Sequence, residues 1–176
     1  MSTKIVLGVC GGIAAYKSAQ LCSSLGQAGF DVQVVMTENA TRFVTPLTFS
    51  TLSRHPVIST LWESLEWKPD HVALADEINL LVIAPATANM IAKLANGIAD
   101  DALSTLGATF GGKTLLAPAM NPKMWAHPAC RENVAKLESR GVKFCGPVSG
   151  HVACGADGVG RMAEVAEIQA AIEALI

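Results

Sequence analysis

Leu80-Leu81-Val82-Ile83-Ala84-Pro85-Ala86-Thr87-Ala88-Asn89 is the stretch that decides the fold. It opens with an apolar run too short for a core helix and rich in strand formers, which predicts a strand buried on both faces. The run stops at Pro85, and 86–89 lead into a helical stretch over 90–95. Further on the arrangement returns in Thr114-Leu115-Leu116-Ala117-Pro118-Ala119-Met120-Asn121. Both strands end in Ala-Pro-Ala, and an asparagine follows each within a turn. In an open parallel sheet the carboxyl ends of neighbouring strands border the ligand crevice. Proline ends hydrogen bonding there, alanine permits close approach, and asparagine both donates and accepts. Proline and asparagine are also ordinary turn residues. It is the recurrence that favours a site.

Working outward, the chain alternates strand and helix. Lys4 to Val9 reads as the first strand, Cys10-Gly11-Gly12 as its turn, and 13–28 as a helix ended by Gly29. Asp31 to Met36 is the second strand, so the opening is a right-handed βαβ unit. The Gly-Gly turn suits backbone N–H groups facing a ligand at a helix start. It is not G-x-G-x-x-G, and Met36-Thr37 stand where a ribose-binding acid would be needed, so a dinucleotide site is disfavoured. Short helices broken near Pro46 are expected over 38–54, a short strand over 57–60, and a helix over 70–76 with Asp70 as cap. The Trp62–Trp67 stretch reads as a surface loop or contact segment, its tryptophans serving an interface or packing on their own subunit. A helix over 128–140, a last strand over 142–144 and a closing helix over 164–175 complete the pattern. The glycines of 146–160 argue against regular structure and for a mobile flap.

Composition bounds the function. The 176 residues fit one domain, and 51% hydrophobic content exceeds what a soluble monomer needs, which points to subunit contacts. No apolar run reaches the length of a membrane span, and the amino terminus lacks a secretory profile. A net charge of −2 without a basic cluster argues against nucleic acid as partner. The five cysteines are scattered with no C-x-x-C pair, which suits free thiols in a reducing cytoplasm and no metal site.

Four blocks occur in order: Gly11-Gly12-Ile13-Ala14-Ala15-Tyr16-Lys17, Pro85 to Asn89, Pro118-Ala119-Met120-Asn121-Pro122-Lys123-Met124-Trp125, and Ala153-Cys154-Gly155-Ala156-Asp157-Gly158-Val159-Gly160-Arg161-Met162. Together they resemble the FMN-dependent cysteine decarboxylases over essentially the whole chain. The last two blocks are specific; the Gly-Gly turn alone is weak. The resemblance implies an α/β, flavodoxin-like Rossmann three-layer sandwich with a mostly parallel sheet, non-covalent FMN, and a homotrimer or a dodecamer of trimers with sites near subunit contacts. It also implies a lyase of coenzyme A biosynthesis that turns 4'-phospho-N-pantothenoylcysteine into 4'-phosphopantetheine through thioaldehyde and enethiolate intermediates. A single decarboxylase domain over 1–176 is expected, with a flap at about 146–160. Bacterial members usually carry a CTP-dependent synthetase domain after the decarboxylase; none is expected within 1–176, so a fused or separate synthetase is an expected partner.

Residue by residue, the resemblance puts His71 as the base near thiol and flavin, and Cys154 as the acid that completes the reaction. A thiol in a glycine-rich loop with Arg161 seven residues on is placed for chemistry rather than for packing. Asn121 is expected to meet the substrate carboxylate, with turn capping as the alternative, and His151, Val152 and Ala153 to touch substrate from the flap. Gly11, Gly12, Ile13, Thr37 and Asn39 are expected beside the cofactor, Thr87, Ala88, Asn89 and Met90 around its phosphate, and Ala119 and Met120 beside its ring. Rival readings are a peptidyl-cysteine decarboxylase, a flavin prenyltransferase and a non-enzymatic flavin-binding regulatory subunit. The prenyltransferase lacks a basic set for an isoprenyl phosphate here, and the regulatory subunit lacks its usual acidic extensions.

Overall fold

The computed structural model describes residues 3–62, 70–151, 155 and 157–176. In chain order these form β1 (Lys4–Val9), α1 (Ala15–Gln27), β2 (Asp31–Met36), a 3₁₀ turn (Glu38–Arg42), α2 (Pro46–Ser53), α3 (Asp70–Glu77), β3 (Leu80–Ala86) and α4 (Ala88–Asn96). There follow α5 (Ala102–Thr109), β4 (Lys113–Pro118), α6 (Pro122–Ala126), α7 (Pro128–Ser139), β5 (Lys143–Phe144), β6 (Val148–His151), β7 (Asp157–Arg161) and α8 (Val165–Glu173). β1 to β5 make one parallel sheet in the order β2-β1-β3-β4-β5, the flavodoxin-like order. Every residue of β3, the central strand, is buried. Alternation along the strands sends Ile5, Leu7, Val82 and Leu115 to a core shared with α1, α2 and α8. It sends Val6, Leu81, Ile83 and Leu116 to a second core under α3, α4, α5 and α7. This is the three-layer sandwich that the resemblance implies.

Several elements differ from the sequence expectation. β3 does not stop at Pro85 but pairs on to Ala86, because a bulge between Ile83 and Ala86 brings Ala86 opposite Pro118. The extra residue is thereby absorbed, and Asn89 and Asn121 each stand three residues beyond a paired position. α5 was not foreseen: its eight residues mix Gly107 and Thr109 with leucines, and its start is set by a reciprocal cap in which Ser104 N donates to Asp101 Oδ1 (2.8 Å) and Asp101 N to Ser104 Oγ (3.1 Å). The short α6 was likewise not foreseen. Over 57–60 a lone bridge between Ile58 and Val35 replaces the expected strand.

The flap expectation is corrected in form. Glycine density does not prevent order, since β6 and β7 pair as an antiparallel hairpin. Gly150 and Gly158 take φ of +156° and +153°, and at Gly160 an added Cβ would lie 2.3 Å from the Met120 carbonyl oxygen. Glycine here lets the hairpin dock backbone to backbone on the turn after β4, where Met120 N donates to Gly160 O (2.9 Å). Gly160→Ala is therefore expected to cost about 1–3 kcal/mol by overpacking, read as a lower Tm. Gly111→Ala, where an added Cβ meets nothing within 4 Å, is expected to stay within about 0.5 kcal/mol of the parent.

Candidate active site

The strand order reverses between β1 and β3, and the turns leaving their carboxyl ends open onto a cavity of about 1140 Å3. The turn after β1 contributes Gly11, Gly12 and Ile13, that after β2 Thr37 and Asn39, that after β3 Thr87, Ala88, Asn89 and Met90, and that after β4 Ala119, Met120 and Asn121. His151 reaches the same cavity from β6. The fold thus gathers into one space every cofactor candidate, together with Asn121 and His151. Val152, Ala153 and Cys154 lie outside the described residues, as does Trp67.

Backbone contacts fix these turns. A Cβ at Gly11 would stand 2.4 Å from Asn39 Cβ and 2.7 Å from the Asn39 carbonyl carbon, so only glycine lets the first two turns touch. Thr37 N donates to Val9 O (3.0 Å), and Thr37 Oγ1 accepts from Ala40 N (3.3 Å). Thr87 caps α4, its Oγ1 accepting from Met90 N (3.3 Å). Met90 N–H is thereby engaged, and the helix-start donors without an intrahelical acceptor are those of Ala88 and Asn89. Buried Ser18 on α1 donates to Ala84 O at 2.6 Å and ties the helix to β3 at its bulge. Ala119 N donates to Ala86 O (3.1 Å), which links the two Ala-Pro-Ala turns directly.

Asn121 does cap: its Oδ1 accepts from Lys123 N (2.8 Å) at the start of α6. That bond orients the amide, and a ligand carboxylate would be met by Nδ2, the donor end. His151 Nδ1 lies 3.3 Å from Asp157 Oδ1 across the hairpin, both side chains exposed.

His71 is not brought into this cavity. It lines a separate pocket of about 20 Å3 with Val35, Ile58, Leu74, Ala102 and Leu106. The helix predicted over 70–76 forms as α3, so the local reading holds while the placement in a common site does not follow within one chain. Trp62 is 86% exposed, which removes packing on its own subunit as its explanation.

Sequence reasoning missed the charged walls. Lys93 Nζ bridges Asp100 Oδ1 and Asp101 Oδ2, both at 2.6 Å, and all three line the cavity. Burial works to lower the Lys93 pKa, but the hydrogen bonds to both aspartates outweigh it and hold the amine above its ordinary value. The Lys93 hydrogen bond likewise pulls the Asp100 carboxyl down. Lys17 and Arg161 stand on the wall as well, joined through Glu164. The Asp-x-x-Ser cap was the available signal for Asp101; Lys17 carried none. Beneath Thr87, burial pushes the Cys10 thiol up to about 12, which makes it packing rather than a nucleophile. A cavity lined by Ile13, Ala119 and Met120 as well as by helix starts and charged walls suits a planar ring carrying a phosphate tail.

The comparisons agree with this geometry. The model of the family described as Flavoprotein matches residues 1–176. The coenzyme A biosynthesis bifunctional protein CoaBC of Bacillus subtilis is 48% identical over 163 residues, 91% of this chain and 40% of that protein. Its namesake in Borreliella burgdorferi is 43% identical over 158 residues, 90% of this chain and 40% of that protein. The chain therefore spans about two fifths of these relatives' length. Among solved structures, a mutant PPC decarboxylase complexed with pantothenoylaminoethenethiol superposes with a TM-score of 0.88 at 26% identity, covering 99% of this chain and 98% of that one. The FMN-dependent cysteine decarboxylase SpaF gives 0.84 at 30% identity, covering 98% and 94%. With a model match along its whole length and the family's sheet order and crevice in place, the chain belongs to the flavoprotein family.

Proposed function

We propose that this chain is an FMN-dependent decarboxylase that converts 4'-phospho-N-pantothenoylcysteine to 4'-phosphopantetheine in coenzyme A biosynthesis. The observation that carries it is the cavity of about 1140 Å3 at the β1/β3 switch point, walled by the turns after β1, β2, β3 and β4. The residues present fit a flavin mononucleotide. A Cβ on Gly12 would project into the cavity with only Thr87 Cγ2 nearby, at 3.8 Å, so glycine leaves the backbone open to a ligand. Ala88 and Asn89 N–H groups and the Thr87 hydroxyl suit a phosphate at the start of α4, while Ile13, Ala119 and Met120 offer an apolar face to a ring. The names of the CoaBC relatives and of the PPC decarboxylase structure support the substrate, and the relatives' added length is consistent with a synthetase that makes this substrate in the same protein or beside it.

When bound, FMN supplies the two-electron oxidation of the thiol-bearing carbon and its reversal, which makes loss of CO2 feasible and leaves the sum redox-neutral. The chain's part is position and protons. Asn121 Nδ2 donates to the substrate carboxylate and holds the bond to be broken. His71 takes the thiol proton, an imidazole nitrogen being able to accept it as a general base. Cys154 returns a proton to the enethiolate carbon.

Because His71 stands apart from the cavity of its own chain, it serves the cavity of a neighbouring copy in a trimer or a multiple of three. The 86% exposed Trp62 and 73% exposed Leu47 are available for such contact.

The released ligand is expected to have the mass of FMN; FAD, a nicotinamide or nothing would defeat the cofactor assignment. In an assay of CO2 release from phosphopantothenoylcysteine, Cys154→Ser should keep decarboxylation and lose saturated product. Serine's hydroxyl is an acid weaker by about five or more pKa units. Saturated product at the parent rate would remove Cys154 from the mechanism. His71→Asn and Asn121→Asp, each inactive alone, should regain CO2 release when co-assembled, since some sites then combine an intact His71 from one copy with an intact Asn121 from another. No recovery in mixed oligomers verified by mass would place both residues within one chain.

A further inference from the structure

One charged cluster on the cavity wall is left without a role by the proposed chemistry. Lys17 from α1 and Arg161 from β7 both face the cavity and meet on a single carboxylate: Lys17 Nζ lies 3.1 Å from Glu164 Oε2, and Arg161 Nη2 donates to Glu164 Oε1. Two cations share one anion, so the cluster keeps a net positive charge. The Lys17 side chain is 16% exposed and that of Arg161 42%, so both cations present their charge to the cavity from partly buried positions. The arrangement is also built rather than incidental. Glu164 is held by its own capping box on α8, and Gly150 leaves the guanidinium room across β6, where an added Cβ would touch Arg161 Nη1 at 3.4 Å.

We propose that Lys17 and Arg161, spaced by Glu164, form a seat for a phosphate monoester. Resting on the function proposed above, this phosphate is the substrate's. The cofactor's phosphate has its own donors at the start of α4, and about 1140 Å3 exceeds an ordinary single-ligand site of roughly 300–1,000 Å3. Planar guanidinium donors and a lysine point charge are the pairing that a dianionic phosphate favours. Glu164 keeps both cations in place and prevents them from holding a phosphate too tightly to release. The seat makes Arg161 a specificity-determining residue that selects phosphorylated over unphosphorylated pantothenoyl compounds.

The test is calorimetric titration of the flavin-loaded protein with 4'-phosphopantetheine and with pantetheine. The parent should prefer the phosphorylated compound by roughly ten- to a hundredfold, the range of one charge-assisted hydrogen bond. Arg161→Gln and Lys17→Gln should each lower that preference, whereas Glu164→Gln, which keeps a capping oxygen and removes the competing charge, should raise it. In parallel, FMN and riboflavin are rebound to flavin-free protein. If Arg161→Gln instead collapses the FMN-over-riboflavin ratio, the seat stands and its phosphate is the cofactor's. Both ratios unchanged in Arg161→Gln and Lys17→Gln, with parent-like melting, would overturn the proposal. So would a Glu164→Gln variant weakened as much as Arg161→Gln, since that is the pattern of a structural ion pair. Absence of CO2 release from phosphopantothenoylcysteine by the parent would defeat the decarboxylase reading alone, because the binding ratios are measured without turnover.

Discussion

At Gly11 and at Gly160 a first side-chain carbon would stand 2.4 Å from Asn39 Cβ and 2.3 Å from the Met120 carbonyl oxygen. The cavity exists because backbone meets backbone at these two crossings. The first pins the turn after β1 against the turn after β2, and the second pins the β6–β7 hairpin against the turn after β4. Between them run the Ser18 bond to Ala84 O and the Ala119 bond to Ala86 O, which lock the central turns to a helix and to each other. Such a rim is held by short backbone distances together with the side chains of Thr37, Thr87 and Asn121, which cap its turns.

Charge around the cavity follows one design on both sides. Lys93 is shared by Asp100 and Asp101, a two-anion site around one cation, whereas Glu164 is shared by Lys17 and Arg161, the reverse ratio. The first cluster joins the last turn of α4 to the cap of α5 and has spent its cation on structure. The second keeps a surplus positive charge, since two cations share one carboxylate. Pairs as exposed as Asp100 and Glu164 add little to stability on their own. Their value lies in deciding which wall of the cavity attracts an anion.

The parallel sheet and its βαβ opening were legible because strands buried on both faces read as continuous apolar runs, and 80–84 and 114–117 are such runs. The turns that wall the cavity after β3 and β4 were legible because the Ala-Pro-Ala repeat marks strand ends whatever packs around them. α5 was hidden, since Gly107 and Thr109 dilute its helical signal and its stability comes from a cap and from packing under β3. The hairpin was hidden for a related reason. Glycine density is local evidence against regular structure, but here the glycines serve docking on a turn that lies far away in sequence.

By itself the sequence determined the strands of the parallel sheet, the helices α1, α4, α7 and α8, the turns that line the cavity, and the residue types at Asn121, His71 and Cys154. These follow from local propensity and residue type, which act over a few neighbours. Only the tertiary structure decided that Ala86 rather than Pro85 stands opposite Pro118, that Lys17, Arg161 and Glu164 meet, and that His71 lies outside the cavity of its own chain. Each of these depends on register or on contact between segments distant in sequence, and a register or an ion pair is settled by what the packed layers bring within reach.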